Sequence, residues 1–250
     1  MPLFRLSSQI DFPPAWLARP DGLLCIGGDL HPQRLILAYQ NGIFPWFSEN
    51  EPILWWSPDP RLILIPNEIK VSRSMNKTLR KGKFQVTFDT AFESVITACA
   101  QPRAGECNGT WLVEEMIEAY IELHRMGVAH SVEAWHNGEL VGGLYGICLG
   151  KSFFGESMFS RKSDASKTAL VALARHLQAH DFDMIDCQVT SPHLLSLGAK
   201  EVPRQSFLEI LSHSLKRDTH PDIWSHPPQL TPVPLKGENH DTRSTRESDT

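Results

Sequence analysis

Between Lys151 and Val189 the chain sets two apolar, strand-like runs around one helical run, and each strand-like run carries a carboxylate. The first is Ser152-Phe-Phe-Gly-Glu156-Ser-Met-Phe-Ser160 and the last is Asp183-Met-Ile-Asp186-Cys-Gln-Val189. Between them, from about Ala165 to Ala179, Leu170, Val171, Leu173, Ala174 and Leu177 recur at helical spacing. Ionised groups are rarely buried without a partner, so Glu156 and Asp186 mark either a site or two strand positions turned to solvent. Their placement at matching points of two neighbouring strands favours a site.

The flanking pattern extends this frame. Ala129 to His136 is expected as a strand, Asn137-Gly138 as a tight hairpin turn, and Glu139 to Leu149 as the return strand. Gly142, Gly143 and Gly146 interrupt the return, which predicts a bulge or the close approach of another backbone or a ligand. Ser191 to Leu197 and Ser206 to Leu215 are expected helices. The succession hairpin, strand, helix, strand, helix is α+β, in the order of the GNAT acyltransferase fold, and suggests acyl transfer by analogy alone.

Upstream, residues 1–28 are rich in Pro and Gly and are expected to be irregular or briefly extended. Asp29 is a candidate helix cap before Leu35, Ile36 and Tyr39, with Gly42 as the stop. Phe44, Trp46, Phe47, Trp55 and Trp56 then fall within 13 residues, dense enough for a small aromatic core, a stacking surface for a ligand, or both. Arg61 to Ile65 and Phe84 to Phe88 are expected strands. Asp89 is a candidate cap for a helix through Phe92, Val95, Ile96 and Cys99, and Trp111 is expected to open a helix to about Met126.

The net charge is −5, so any polyanion site has to be local. One such place is Lys70 to Lys83, with six basic residues in fourteen and no acid. It is either a solvated face or a phosphate contact. The loop Arg161-Lys-Ser-Asp164 and the helix start after it offer amide donors and two cations for a second phosphate contact. The five cysteines are scattered without a CxxC pair, which disfavours a disulfide framework or zinc site and fits a reducing compartment. There is no signal-peptide apolar region, and no apolar run approaches the ~20 residues of a membrane span. A cytoplasmic protein is expected. From about His226 the chain is Pro-rich, then polar, and is expected to be a disordered tail.

Several motifs in one order carry a resemblance: Gly-Gly-Asp-Leu (27–30), Ala-Tyr-Gln-Asn-Gly-Ile-Phe-Pro-Trp-Phe (38–47), Trp-Trp-Ser-Pro-Asp-Pro-Arg (55–61), Gly-Thr-Trp (109–111), Gly-Gly-Leu-Tyr-Gly (142–146), Gly-Glu-Ser-Met-Phe-Ser (155–160), Ala-Ser-Lys-Thr-Ala-Leu (165–170) and Ile-Asp-Cys-Gln-Val (185–189). Over about residues 20–225 the chain resembles the bacterial leucyl/phenylalanyl-tRNA–protein transferases. The resemblance implies a small N-terminal domain (1–62) on a GNAT-like C-terminal domain (63–225), with the tail (226–250) outside it. It implies transfer of leucine or phenylalanine, and methionine less well, from aminoacyl-tRNA to the α-amine of proteins that begin with Lys or Arg, which marks them for N-end rule degradation. No metal, nucleotide or acetyl-CoA is implied, and no membrane; a monomer is expected.

By the same resemblance, Leu144, Phe153, Leu170 and Ile185 line an aminoacyl pocket, where a family aromatic appears as Leu177 and a small hydroxyl residue as Ala179. Trp46 and Trp111 lie by the terminal adenosine, and Tyr39, Phe44 and Tyr120 line the same cleft. Arg73, Lys77, Arg80, Lys81 and Lys83 track acceptor-stem phosphates. The ester is already activated, so the site has only to align the amine, keep it neutral and stabilise the oxyanion. Asp186, oriented with Gln188 on one strand face, is expected to bind the amine and assist its proton loss. Glu156 is expected to hold the attacking end and the cationic side chain. An acetyl-CoA-dependent GNAT enzyme is the nearest alternative, yet Ser160 to Ser166 lacks the glycines of a pyrophosphate loop. A non-catalytic RNA-binding module leaves Glu156, Asp186 and Gln188 without a task.

Overall fold

Two sheets organise the computed structural model, which describes residues 3–101 and 112–226. The first comprises β1 (Phe4–Leu6), β2 (Leu23–Gly27), β3 (Phe44–Pro45) and β4 (Leu54–Trp56), in the order β1-β2-β4-β3. The brief extended structure expected within residues 1–28 is there, as β1 and β2. The prolines do break the segment, but the apolar ends on either side of them pair with each other, in parallel. Between β2 and β3 runs α1 (Pro32–Gln40). Its cap is His31, whose ring accepts from the Gln33 N–H at 3.3 Å; Asp29 instead takes the Arg34 guanidinium. Trp55 is fully buried and anchors its indole N–H on the Gly27 carbonyl at 2.8 Å.

The second sheet takes the rest of the chain. Its elements are β5 (Arg61–Leu64), α2 (Arg73–Arg80), β6 (Gln85–Phe88), α3 (Phe92–Cys99), α4 (Glu114–Arg125), β7 (Ala129–His136), β8 (Glu139–Leu149), β9 (Ser152–Ser160), α5 (Ala165–Ala179), β10 (Met184–Gln188), α6 (Pro192–Ser196), β11 (Lys200–Val202) and α7 (Arg204–Ser214). The strand order is β11-β5-β10-β9-β8-β7-β6. Neighbours are antiparallel except β9 and β10, which α5 joins as a parallel pair. This is the α+β plan expected from the hairpin, strand, helix, strand order. β11 is an addition that the sequence did not announce: three residues give too short a period to detect.

Each face of this sheet is covered. On one, α5 buries Leu170, Leu173 and Leu177 against Leu62, Leu64, Leu144, Phe153 and Ile185. Each of these leucines contributes roughly 1.5–3 kcal/mol by leaving water. On the other, α3, α4 and α7 meet the first sheet in one shared core that includes Leu35, Tyr39, Phe44, Trp55, Ile63, Phe92, Tyr120, Phe154 and Phe207. Strand alternation dictates the split, since Ile63 and Phe154 face this core while Leu62, Leu64 and Phe153 face α5. The final turn, Pro221–Ser225, stacks Trp224 on His130 at 4.1 Å and sets it 5.8 Å from Phe153.

Asp89 does not cap α3. It takes φ 54° and accepts from the Ser131 N–H at 2.8 Å while its other oxygen meets His130 at 2.7 Å. The helix expected to open at Trp111 begins instead at Glu114, after an extended Val113; Trp111 itself and residues 227–250 lie outside the described residues. Among the described residues no helix is long and apolar enough to cross a membrane.

The glycines of β8 answer to close approach. A Cβ on Gly142 would stand 2.5 Å from that of Ala165, at the start of α5. One on Gly146 would strike the Phe154 carbonyl oxygen and come within 2.6 Å of the Phe153 ring. Gly146→Ala is therefore expected to lower stability by about 3 kcal/mol, the scale of overpacking in a rigid core, measured as a shift in the urea unfolding midpoint.

Candidate active site

β9 and β10 stay paired as far as Phe154 and Asp186. Beyond that rung β9 continues along β8 to Ser160, while β10 continues along β5, with Gln188 opposite Leu62. A cavity of about 680 Å³ is lined on the two sides of this parting. Leu144, Phe153, Leu170 and Ile185, the expected aminoacyl pocket, form part of its apolar wall, and Glu156 and Gln188 supply polar groups. The strands part because β10 bulges: Asp186 lies opposite Ile63 and Gln188 opposite Leu62, which leaves Cys187 as the extra residue. Gln188 takes φ 60°, so the simple alternation expected to put Asp186 and Gln188 on one strand face is broken. A non-glycine residue in this region costs about 1–3 kcal/mol and persists only where its surroundings hold it.

Those surroundings are explicit. The Gln188 N–H donates to Asp186 Oδ1 at 2.9 Å, and its Nε2 donates to Glu156 Oε1 at 2.8 Å. With Nε2 committed to a carboxylate, Oε1 is the accepting end of the amide. Glu156 Oε2 accepts from the Tyr120 hydroxyl at 2.9 Å, and Tyr120 in turn shares a very short contact with the Tyr39 hydroxyl. Because Tyr120 donates onward, Tyr39 is the donor to it, and the chain of hydroxyls points toward the carboxylate. Burial drives the Glu156 carboxyl up to about 7, against the lowering effect of the tyrosines and Gln188; the Asp186 charge pushes the same way as burial. None of these four neighbours is a cation.

Asp186 has a different environment. It is completely buried, and its two oxygens meet Arg61 Nε at 2.8 Å and Nη2 at 2.6 Å. Arg61 is also completely buried, with Nη1 donating to the Gly42 carbonyl at 3.2 Å. Its guanidinium lies 4.9 Å from the Phe44 ring centre and 4.5 Å from that of Phe207. The expectation of direct contact between Asp186 and an amine is thus revised: the carboxylate is sealed behind the turn that carries Gln188. Arg61 was missed as a site residue. Its signal was a charge at the head of the apolar run Leu62-Ile-Leu-Ile65, since such a charge, once buried, demands a partner.

The aromatics divide likewise. Trp46 keeps 42% of its surface exposed and tilts on Trp56 at 5.8 Å, which leaves it available for stacking. Phe44 is buried over Arg61, and Tyr39 and Tyr120 are fully buried donors to the Glu156 chain, so these three do not present a cleft surface. Leu177 lies in the core below α5 and Ala179 is exposed; neither lines the cavity. Arg73, Lys77, Arg80, Lys81 and Lys83 are all exposed on or just after α2, whose buried side, Met75 and Leu79, packs on Val171. The Thr78 hydroxyl donates to Asp164 at 3.2 Å and Lys83 reaches the Ser163 carbonyl, so the basic helix abuts the loop before α5. At that helix start the Asp164 carboxylate lies 3.6 Å from Lys167 and makes no capping hydrogen bond to the α5 amides.

Two family models match the chain: the leucyl/phenylalanyl-tRNA protein transferase N-terminal domain over residues 28–59, and the leucyl/phenylalanyl-tRNA protein transferase proper over residues 63–212. A protein of that description from Desulforapulum autotrophicum is 58% identical over 224 residues, 90% of this chain and 98% of its own. One from Syntrophobacter fumaroxidans is 56% identical, over 90% of this chain and 96% of its own. One from Pseudomonas putida is 57% identical, over 83% and 92%. Among solved structures, a GCN5-related N-acetyltransferase from Kribbella flavida is a distant likeness, with TM-score 0.31 and 10% identity over 66% of this chain and 59% of that one.

Glu156 gives the site a pH signature. Its folded pKa, about 7, lies above the ordinary 4.5, so the folded state binds the extra proton between these values. The associated stability is present below about pH 4.5 and is lost as pH rises through 7. Glu156→Gln is expected to abolish this loss, leaving the variant more stable than the parent at pH 8 by on the order of 1–3 kcal/mol. Thermal melts from pH 4.5 to 8 measure it.

Proposed function

The chain belongs to the leucyl/phenylalanyl-tRNA protein transferase family, and from that premise we propose that it moves leucine or phenylalanine, and methionine less well, from aminoacyl-tRNA to the α-amine of proteins that begin with Arg or Lys. The product is thereby marked for N-end rule degradation in the cytoplasm. The observation that carries the substrate reading is Glu156: a carboxylate beside an apolar cavity, supported by neutral donors only, while the neighbouring Asp186 charge is already neutralised by Arg61. None of the hydrogen-bond partners of Glu156 is a cation, so the carboxylate favours a substrate that brings one.

In this reading the N-terminal unit (1–62) receives the tRNA end at Trp46, and the unit 63–225 performs the transfer. The aminoacyl side chain enters the wall of Leu144, Phe153, Leu170 and Ile185. The basic face of Arg73, Lys77, Arg80, Lys81 and Lys83 follows acceptor-stem phosphates, which position the tRNA without reading its sequence. The acceptor's cationic end meets Glu156, and Gln188 Oε1 accepts from the α-amine N–H, which turns the nitrogen lone pair toward the ester carbonyl. The carbon–nitrogen bond forms, the carbon–oxygen ester bond breaks, and the ribose oxygen leaves with a proton that the amine gives up. No external energy source is required, because the ester is already activated. Asp186 acts from behind, through the Gln188 N–H.

Three outcomes test this. With labelled Leu-, Phe- and Met-tRNA and peptides beginning with Arg, Lys, Asp or Ala, transfer to Arg and Lys is expected to exceed the others at least about tenfold, and Glu156→Gln to lose on the order of 100-fold in kcat/KM for the Arg peptide. Equal transfer to all four peptides would overturn the acceptor assignment. The double charge reversal Lys77→Glu/Arg80→Glu is expected to raise KM for aminoacyl-tRNA about tenfold and flatten its salt dependence, with kcat within about twofold.

A further inference from the structure

We infer that Arg61 is a positioning residue of the transfer reaction, one that fixes the Gln188 carboxamide through Asp186 and joins that turn to the chain segment leading to Trp46. The inference rests on the reading of Gln188 and Glu156 as the acceptor-amine site. Arg61 has no surface of its own and is enclosed between Phe44 and Phe207, so it does not touch substrate. Whatever it contributes passes through its partners.

Asp186 Oδ1 is the node. It accepts from Arg61 Nε at 2.8 Å and from the Gln188 N–H at 2.9 Å. The second oxygen is fixed by Arg61 Nη2, so the guanidinium fork sets the plane of the carboxylate and with it the direction of the Gln188 N–H. Gln188 is in the left-handed region, a conformation its own side chain does not favour. Freed from Asp186, its backbone would relax toward ordinary strand geometry and carry the carboxamide off Glu156. An ammonium cannot replace the fork: lysine offers a point charge, with no planar pair of donors.

The same guanidinium reaches the other half of the site. Nη1 holds the Gly42 carbonyl, and the Phe44 ring lies over the charge, two residues before Trp46. Tyr39, which feeds the hydroxyl chain to Glu156, accepts the Gly42 N–H on its own carbonyl. The Gly42 peptide units thus bond to both ends of a circuit that runs Arg61, Asp186, Gln188, Glu156, Tyr120, Tyr39. The tRNA-end segment and the acceptor turn are held in one rigid relation.

The full-length enzyme tests this by single-turnover transfer of labelled Phe from Phe-tRNA to an Arg-starting peptide. Arg61→Lys is expected to slow transfer at saturation at least about tenfold, with KM for both substrates within about threefold. Arg61→Met/Asp186→Leu replaces the buried pair by apolar groups, a change often neutral for stability, and is expected to melt cooperatively near the parent yet stay slow. In the Arg61→Lys background, Gln188→Ala is expected to cost far less than the roughly 100-fold it costs alone, because the two changes remove one arrangement. A parental rate in Arg61→Met/Asp186→Leu, or fully additive effects of Arg61→Lys and Gln188→Ala, would overturn the inference; the additivity test stands even if the apolar pair does not fold. An unchanged rate in Gln188→Ala alone would sink the acceptor-site reading and this inference with it. A slow Gln188→Ala beside a parental Arg61→Met/Asp186→Leu would sink this inference alone.

Discussion

The buried contact between Arg61 and Asp186 is the constraint on which the site depends. Two opposite charges without solvent are tolerated only when geometry and extra hydrogen bonds compensate for lost hydration. Here the fork is bidentate, a third nitrogen reaches a backbone carbonyl, and two aromatic faces close the guanidinium in. Apolar side chains could fill the same space. What they could not do is aim a carboxylate oxygen at the Gln188 N–H. The contact is better understood as a geometric device than as a source of stability.

The parting of β9 and β10 follows from the same locality. A parallel pair is held by evenly spaced hydrogen bonds, and the bulge at Cys187 ends the register after Asp186. Glu156 and Gln188 then bridge the widening gap by side chain rather than backbone. The apolar wall on the α5 face and the polar chain on the other face meet where the sheet opens. One break in strand pairing thus brings together an apolar wall and a hydrogen-bonded carboxyl group.

Legibility from sequence followed the range of the interactions. Asn137-Gly138, the α5 stripe and the crowded glycines of β8 express local rules, and the fold realises each of them. Glu156 and Asp186 stood out because a carboxylate in an apolar run is anomalous wherever it goes. Their partners did not, because Arg61 lies 125 residues from Asp186 and Tyr120 lies 36 from Glu156. The cap assignments failed for a related reason. Asp29 and Asp89 are typical capping residues, but each found a stronger, non-local or charged partner, Arg34 and His130, that a local rule does not weigh. Phe44 fell to the same limit: its residue type announced an aromatic face, and only the fold shows the face spent on a guanidinium.

β5 has a further consequence, for the order in which the molecule can be made. It lies between β10 and β11, so both of its hydrogen-bonding edges are met by residues 184–188 and 200–202, while β5 itself is residues 61–64. On the ribosome this strand emerges with neither edge covered and waits until most of the chain has been synthesised. Pairings of such long sequence separation close late and slowly. A nascent or truncated chain that ends before β10 would carry the aromatic first sheet and the basic helix but no Asp186 for Arg61 to hold. The contact between Arg61 and Asp186, and the Gln188 turn that it holds, therefore arrive only when the last strands dock.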